Sequence, residues 1–263
     1  MIARWWRGLR ERRDARTLAR RPIPDDLWRL TLARFPFLTR RSAQDVQQLR
    51  EMATLFLDRK EFSGPPDVAV SDEMAVAVAA QACLPVLKLG LSWYDGFIGI
   101  VMHPDLVNAR RERMDEDGIV HEYDEELSGE AMDGGPVMLS WRDVADAGDT
   151  AAWGYNVVIH EFAHVLDMRD GVADGVPPLA SREQRERWIE VLDAHYEALC
   201  DEVDRGVEPL LDPYGAESPE EFFAVASETF FVAPLELRAE LPALYDLLAG
   251  FYRQDPAATF TVG

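Results

Sequence analysis

The chain has 263 residues and a mass of 29.7 kDa, with 48% hydrophobic and 10% aromatic residues, enough to bury a core and too much for a disordered chain. Its net charge is −21, and the first 41 residues hold twelve arginines against four acids, which leaves fifteen basic and forty-four acidic residues, a net of −29, in the remainder. An excess of that size repels a phosphate backbone, so direct nucleic-acid binding is not expected, and every apolar run is broken well short of the roughly 18 residues that cross a membrane.

Residues 1–21 read as a basic, weakly anchored helix, with Trp5 and Trp6 among seven arginines from Arg4 to Arg20. The Pro-Ile-Pro at 22–24 punctuates it. Trp28, Leu30, Leu32, Phe35, Phe37 and Leu38 look like packing residues, so this segment is expected to dock on the acidic body rather than act as a DNA-binding arm. From Ser42, a plausible N-cap, Val46, Leu49, Met52, Leu55 and Phe56 recur at helical spacing to about Arg59. Residues 74–91 suggest a buried helix ended near Pro85. Cys83 in that segment and Cys200 far from it are read as separate thiols; with no secretory-type apolar core near the N-terminus, a reducing cytoplasm is expected.

Two runs of β-branched and aromatic residues, 93–104 and 135–141, read as strands. Between them, ten acids from Glu112 to Asp133 mark a solvated hairpin or loop, which would alternatively screen or select basic substrates. The second half is helical. One helix is expected from about Thr150 to Arg169, a second from the capping box at Ser181, a third from the capping box Ser218-Pro219-Glu220-Glu221, and a last over about 236–253. The resulting division is a basic segment over 1–41, a main domain over 42–256 and a loose tail over 257–263.

The informative string is His160-Glu161-Phe162-Ala163-His164. On a helix, residues four apart share a face, so both imidazoles can approach one metal ion with Glu161 beside them. Chance places such a string in roughly one chain of this size in a hundred, so context matters. Its flanks, Val157, Val158, Ile159, Val165 and Leu166, are apolar, and two histidines with a glutamate are costly there unless something pairs them. Zinc suits that donor set, and with no cysteine nearby to close the site a position stays open for water. His103, His121 and His195 receive no role.

A third ligand must come from elsewhere. The spacing excludes the metzincin extension, because Asp167 and Asp170 stand where Gly and His would be needed. Glu220, Glu221 and Glu228, on the helix expected from Ser218, are the candidates, and the residues alone leave all three open. Glu221 and Glu228 lie two turns apart on one face, while Glu221 could equally cap its own helix. Asp167 or Glu228 could orient a ligand imidazole. An extended peptide substrate could add to an edge strand, with 97–103 and 136–141 as candidates.

HEFAHVLD, followed by DPYGAESPEEFFAVASETFF and FYRQDP, with CLPVLKLGLSWYDGF and GPVMLSW upstream, resembles the Mlc titration factor A (MtfA) family of zinc peptidases. These are cytoplasmic bacterial proteins similar in their catalytic part to the anthrax lethal factor protease domain. The resemblance covers most of residues 42–256, and nothing is carried over for the first 41. It implies an α+β zincin-like fold, one zinc held by His160, His164 and Glu221, Glu161 as the general base, and Tyr214, seven residues before Glu221, acting on the substrate oxygen. It further implies aminopeptidase-like cleavage of short peptides and binding of Mlc, a DNA-binding glucose repressor. A non-catalytic protein that sequesters such a repressor is the rival reading.

Overall fold

Six successive helices begin on a serine or asparagine whose side chain accepts a hydrogen bond from the backbone N–H three residues on: Ser42, Ser71, Ser140, Asn156, Ser181 and Ser218. Each such cap satisfies a donor the helix itself cannot, worth about 1 kcal/mol. In this computed structural model, which describes residues 2–259 apart from 67, 106, 115–119, 128 and 132–133, the capped helices are α3 (Ala43–Arg59), α4 (Asp72–Ala82), α5 (Trp141–Thr150), α6 (Val157–Asp167), α7 (Arg182–Asp204) and α8 (Pro219–Val232). Before them come α1 (Ile2–Arg20) and α2 (Asp25–Arg34), and after them α9 (Pro234–Glu240) and α10 (Pro242–Tyr252). The single last helix expected over 236–253 is therefore two, because Pro242 lacks the N–H to continue α9. No helix among the described residues is long and apolar enough to cross a membrane.

The architecture is mixed α and β, mostly helical, with one small sheet. Strands β1 (Glu61–Ser63), β2 (Gly99–His103), β6 (Val137–Ser140) and β5 (Gly129–Ala131) lie side by side in that order; β1, β2 and β6 run parallel and β5 is antiparallel. Of the strands expected over 93–104 and 135–141, only 99–103 and 137–140 are extended, Trp93 and Tyr94 lying in a 3-10 turn, and both strands are interior. The edges are β1 and β5, so a substrate strand cannot add to 97–103 or 136–141 as anticipated; β2 and β6 already use each other and their outer neighbours. Backbone strands β3 (Val107–Met114) and β4 (Val120–Leu127) form a separate antiparallel hairpin within the acidic segment. The acidic side chains from Glu112 to Glu126, and Asp133, lie outside the described residues.

The core packs around α6. Phe162 meets Tyr94, Phe56 and Phe97 with ring centroids 4.9, 5.7 and 5.9 Å apart. On its other side α6 packs against α8, whose residues from Phe222 to Val232 are all buried. Of the N-terminal packing residues, Trp28, Phe35, Phe37 and Leu38 are buried and Leu32 packs on the core, whereas Leu30 is half exposed. The basic helix α1 is held by ion pairs of Arg10 with Asp95 at 3.0 Å and of Asp14 with Arg59 at 2.7 Å. Pro256–Thr259 forms a short 3-10 turn with Ala257 buried, and residues 260–263 lie outside the described residues. Both cysteines are free thiols.

The helix expected from about Thr150 starts later. Instead of beginning near Thr150, α6 begins after Asn156, and α5 stands separately before it. Gly154 separates the two, with φ of +80°, a left-handed backbone that glycine adopts without strain and that no helix can run through.

Candidate metal centre

Helix α6 presents His160 and His164 on one face, with ring centroids 4.8 Å apart. Glu221, in the first turn of α8, comes to meet them. Its Oε2 lies 3.0 Å from His160 Nε2 and 3.4 Å from His164 Nε2, and the two Nε2 atoms are 3.1 Å apart. Three atoms each about 2.05 Å from a tetrahedral centre lie roughly 3.3 Å from one another, so these donors have the spacing a zinc ion needs. Of the three glutamates left open by the sequence, only Glu221 belongs to this cluster.

The donor chemistry fits a cation as well as the spacing does. His160 Nδ1 lies 2.7 Å from Glu228 Oε1. A carboxylate only accepts, so a ring proton sits on Nδ1, and Nε2 faces the Glu221 carboxylate, donating to it when the ring is an imidazolium and turning a lone pair toward it when the ring is neutral. Two acceptors facing each other in a buried place repel unless a proton or a metal ion lies between them.

Glu228 does not ligate in this arrangement; it stands behind His160. It is 1% exposed, and its second oxygen accepts from the Asn156 backbone N–H. The Asn156 side chain caps α6 through Ile159 N and donates to Gln81 Oε1 at 2.8 Å. Helix cap, carboxylate and imidazole are thus one chain of hydrogen bonds running from α4 to the metal cluster. Asp167, the other candidate for orienting an imidazole, instead accepts from Gly175 N–H at 2.8 Å, and its Oδ1 has no partner among the described residues.

The cluster opens into a cavity of about 240 Å³ lined by His160, Glu161, His164, Tyr214, Glu220 and Glu221, with Gly129 to Ala131 of β5 along one side. All five site residues singled out in the sequence therefore face the same space. Tyr214 sits in a 3-10 turn fixed by Asp212, which accepts from its backbone N–H at 2.9 Å, and its ring centroid is 6.0 Å from that of His160. Gly129 carried no signal in the sequence beyond a glycine inside a charged run. A Cβ there would stand 2.5 Å from Glu161 Oε1, so the strand approaches that carboxylate as closely as only glycine permits.

Among the protein groups alone, burial pushes the Glu161 carboxyl up to about 7, against the pull of the two histidines. Burial also acts against the charge on Glu221, but hydrogen bonds from His160 and His164 outweigh it and hold that carboxylate down at about 2. Burial disfavours the His160 imidazolium, and the surrounding carboxylates of Glu228, Glu221 and Glu161 overcome it, raising that pKa well above the ordinary histidine value. A pocket holding three buried or half-buried carboxylates against two imidazoles is short of positive charge.

A family model described as glucose-regulated metallo-peptidase M90 matches residues 9–253. The chain belongs to this family. Among its relatives, Mlc titration factor A of Edwardsiella ictaluri is 40% identical over 224 residues, covering 84% of this chain and 85% of its own length. The protein of the same name from Yersinia pestis is 38% identical over 226 residues, covering 85% and 83%. A protein of Synechocystis sp. described as uncharacterized is 37% identical over 255 residues, covering 95% and 90%. The M90 match reaches back to residue 9, so it takes in most of the basic segment on which the sequence resemblance was silent. Membership of a metallo-peptidase family implies a metal ion, and in this M90 chain His160, His164 and Glu221 form a group able to hold one.

Proposed function

We propose that the chain is a zinc-dependent peptidase of gluzincin type on a zincin-like fold, cleaving short peptides from their N-terminus. The observation that carries this reading is the convergence of three donor atoms, 3.0 to 3.4 Å apart, from two segments some sixty residues distant, beside a buried glutamate in one cavity. His160, His164 and Glu221 would hold the metal. Bound zinc supplies Lewis acidity, bringing the pKa of water toward about 7 and polarising a peptide carbonyl.

The remaining work falls to the protein. Glu161, buried in the same cavity beside the three donors, is placed to take the proton of the attacking water and return it to the leaving amine. The Tyr214 hydroxyl donates to the substrate carbonyl oxygen as negative charge gathers there. Glu228 and Asn156 hold the His160 ring in the tautomer that aims Nε2 at the cavity. Among the described residues β5 is the edge strand on the side of Glu161, where an extended peptide can align.

A second reading is favoured by the name of the relatives, Mlc titration factor A: a regulatory role through binding of a Mlc-like repressor. The two readings separate with Glu161→Gln. Peptide turnover should fall by at least a thousandfold, with one zinc per chain retained, while binding of a Mlc-like repressor should not change. Turnover that survives this substitution refutes the hydrolytic role assigned to Glu161.

A further inference from the structure

We propose that the cleft between α7 and α10 is a binding site for a small amphipathic anion, an apolar chain carrying a carboxylate, separate from the metal centre. The cleft has a volume of about 820 Å³, more than three times that of the metal cavity, and shares no lining residue with it. Such a size suits an organic ligand of moderate length.

Its floor is aromatic and fixed. Phe251 meets Trp93 and Trp188 edge to face, with centroids 5.7 and 5.3 Å away. The Trp188 indole N–H donates to the Gly175 carbonyl at 2.8 Å, so that ring is anchored from behind. A packed floor of this kind favours an apolar body over water.

Its walls are basic. Three guanidinium groups, Arg169, Arg187 and Arg253, line the cleft against one acid, Asp246, in a chain whose net charge is −21. Arg169 is held over the Trp93 ring, 5.8 Å from its centroid, and donates to the Trp93 carbonyl at 3.2 Å. Arg187 shares a contact of 3.2 Å with Glu190, exposed on both sides, which leaves most of its five donors free for a ligand. Arg253 is the one described residue other than glycine with positive φ, at +55°, a backbone that places its side chain on the cleft at a conformational cost. Aromatic faces alone would also accept a cation; three arginines against one aspartate favour an anion.

The test is calorimetry on the zinc-loaded full chain with sodium decanoate below its micellar concentration. Decanoate should bind one to one, octanoate should bind more weakly by roughly fourfold per methylene removed, and decyltrimethylammonium should not bind. Gly250 lines the cleft and an added Cβ there meets no atom within 4 Å, so Gly250→Leu fills the space without disturbing the backbone and should abolish binding. Arg253→Gly removes a charge and relieves the left-handed backbone together, and should weaken decanoate at least fivefold while the thermal midpoint stays level or rises. No binding at millimolar decanoate, equal binding by the ammonium compound, or undiminished binding by a folded Gly250→Leu chain would each overturn the proposal. Co-sedimentation with phosphatidylglycerol vesicles that Gly250→Leu leaves unchanged would also overturn it, since that signals adsorption to a membrane surface.

Discussion

The Glu228 carboxylate and the His160 imidazole form a buried pair, Oε1 to Nδ1 at 2.7 Å, on the side of the ring away from Glu221. The pair fixes which histidine nitrogen can face a metal ion, and it ties that choice to the start of α6 through the Asn156 backbone. Glu228→Gln keeps the shape and removes the charge. Zinc affinity should drop about 10- to 100-fold in a competition assay with a chelator of known affinity. Unchanged affinity would show that the ring holds its orientation without the carboxylate.

Gly129 and Glu161 form a second such relationship, through space alone. Gly129→Ala would set a methyl 2.5 to 2.7 Å from three atoms of the Glu161 side chain, none of which can stay where it is. Peptide turnover should fall about 100-fold, the cost of moving a reacting group by about 1 Å, with zinc content unaltered. Steady-state kinetics beside metal analysis checks both halves of that expectation.

Lys60 makes stability depend on pH in an unusual direction. Its ammonium is buried over the Phe97 ring and donates to the carbonyls of Tyr94 and Phe97, and burial lowers its pKa from 10.5 to about 8. Folding therefore disfavours the charged form: the cost is present in full below pH 8 and disappears as pH rises to 10.5, where the unfolded chain also loses the proton. Relative to Lys60→Met, the native chain should gain roughly 1–2 kcal/mol across that window, an allowance for water that still reaches the amine. Urea unfolding of both chains at pH 7.5 and pH 10 measures the difference; a native chain that loses stability relative to Lys60→Met as pH rises would contradict the assignment.

What could be read in advance was local. Ser42, Ser181 and Ser218 announce their helices because a cap and its partner lie three residues apart, and the two histidines announce their shared face by a spacing of four. What could not be read was the pairing of distant segments. Strands β1 and β5 have three residues each, too few to show an alternation, so β2 and β6 passed for edges when they lie inside the sheet. Glu221 and Glu228 occupy one face of one helix, and only the depth at which α8 crosses α6 sends the first into the cavity and the second behind His160. Glycines 129 and 154 matter through a neighbour's atoms or a backbone angle, neither of which a sequence records.

A metal centre in this chain requires His160, His164 and Glu221 to act together on one cation. Metal analysis of the purified chain beside Glu221→Ala addresses that directly. One zinc per native chain is expected, and less than a tenth of that in the variant after dialysis against a weak chelator. Equal zinc in two folded proteins would remove Glu221 from the coordination sphere and contradict the site described above.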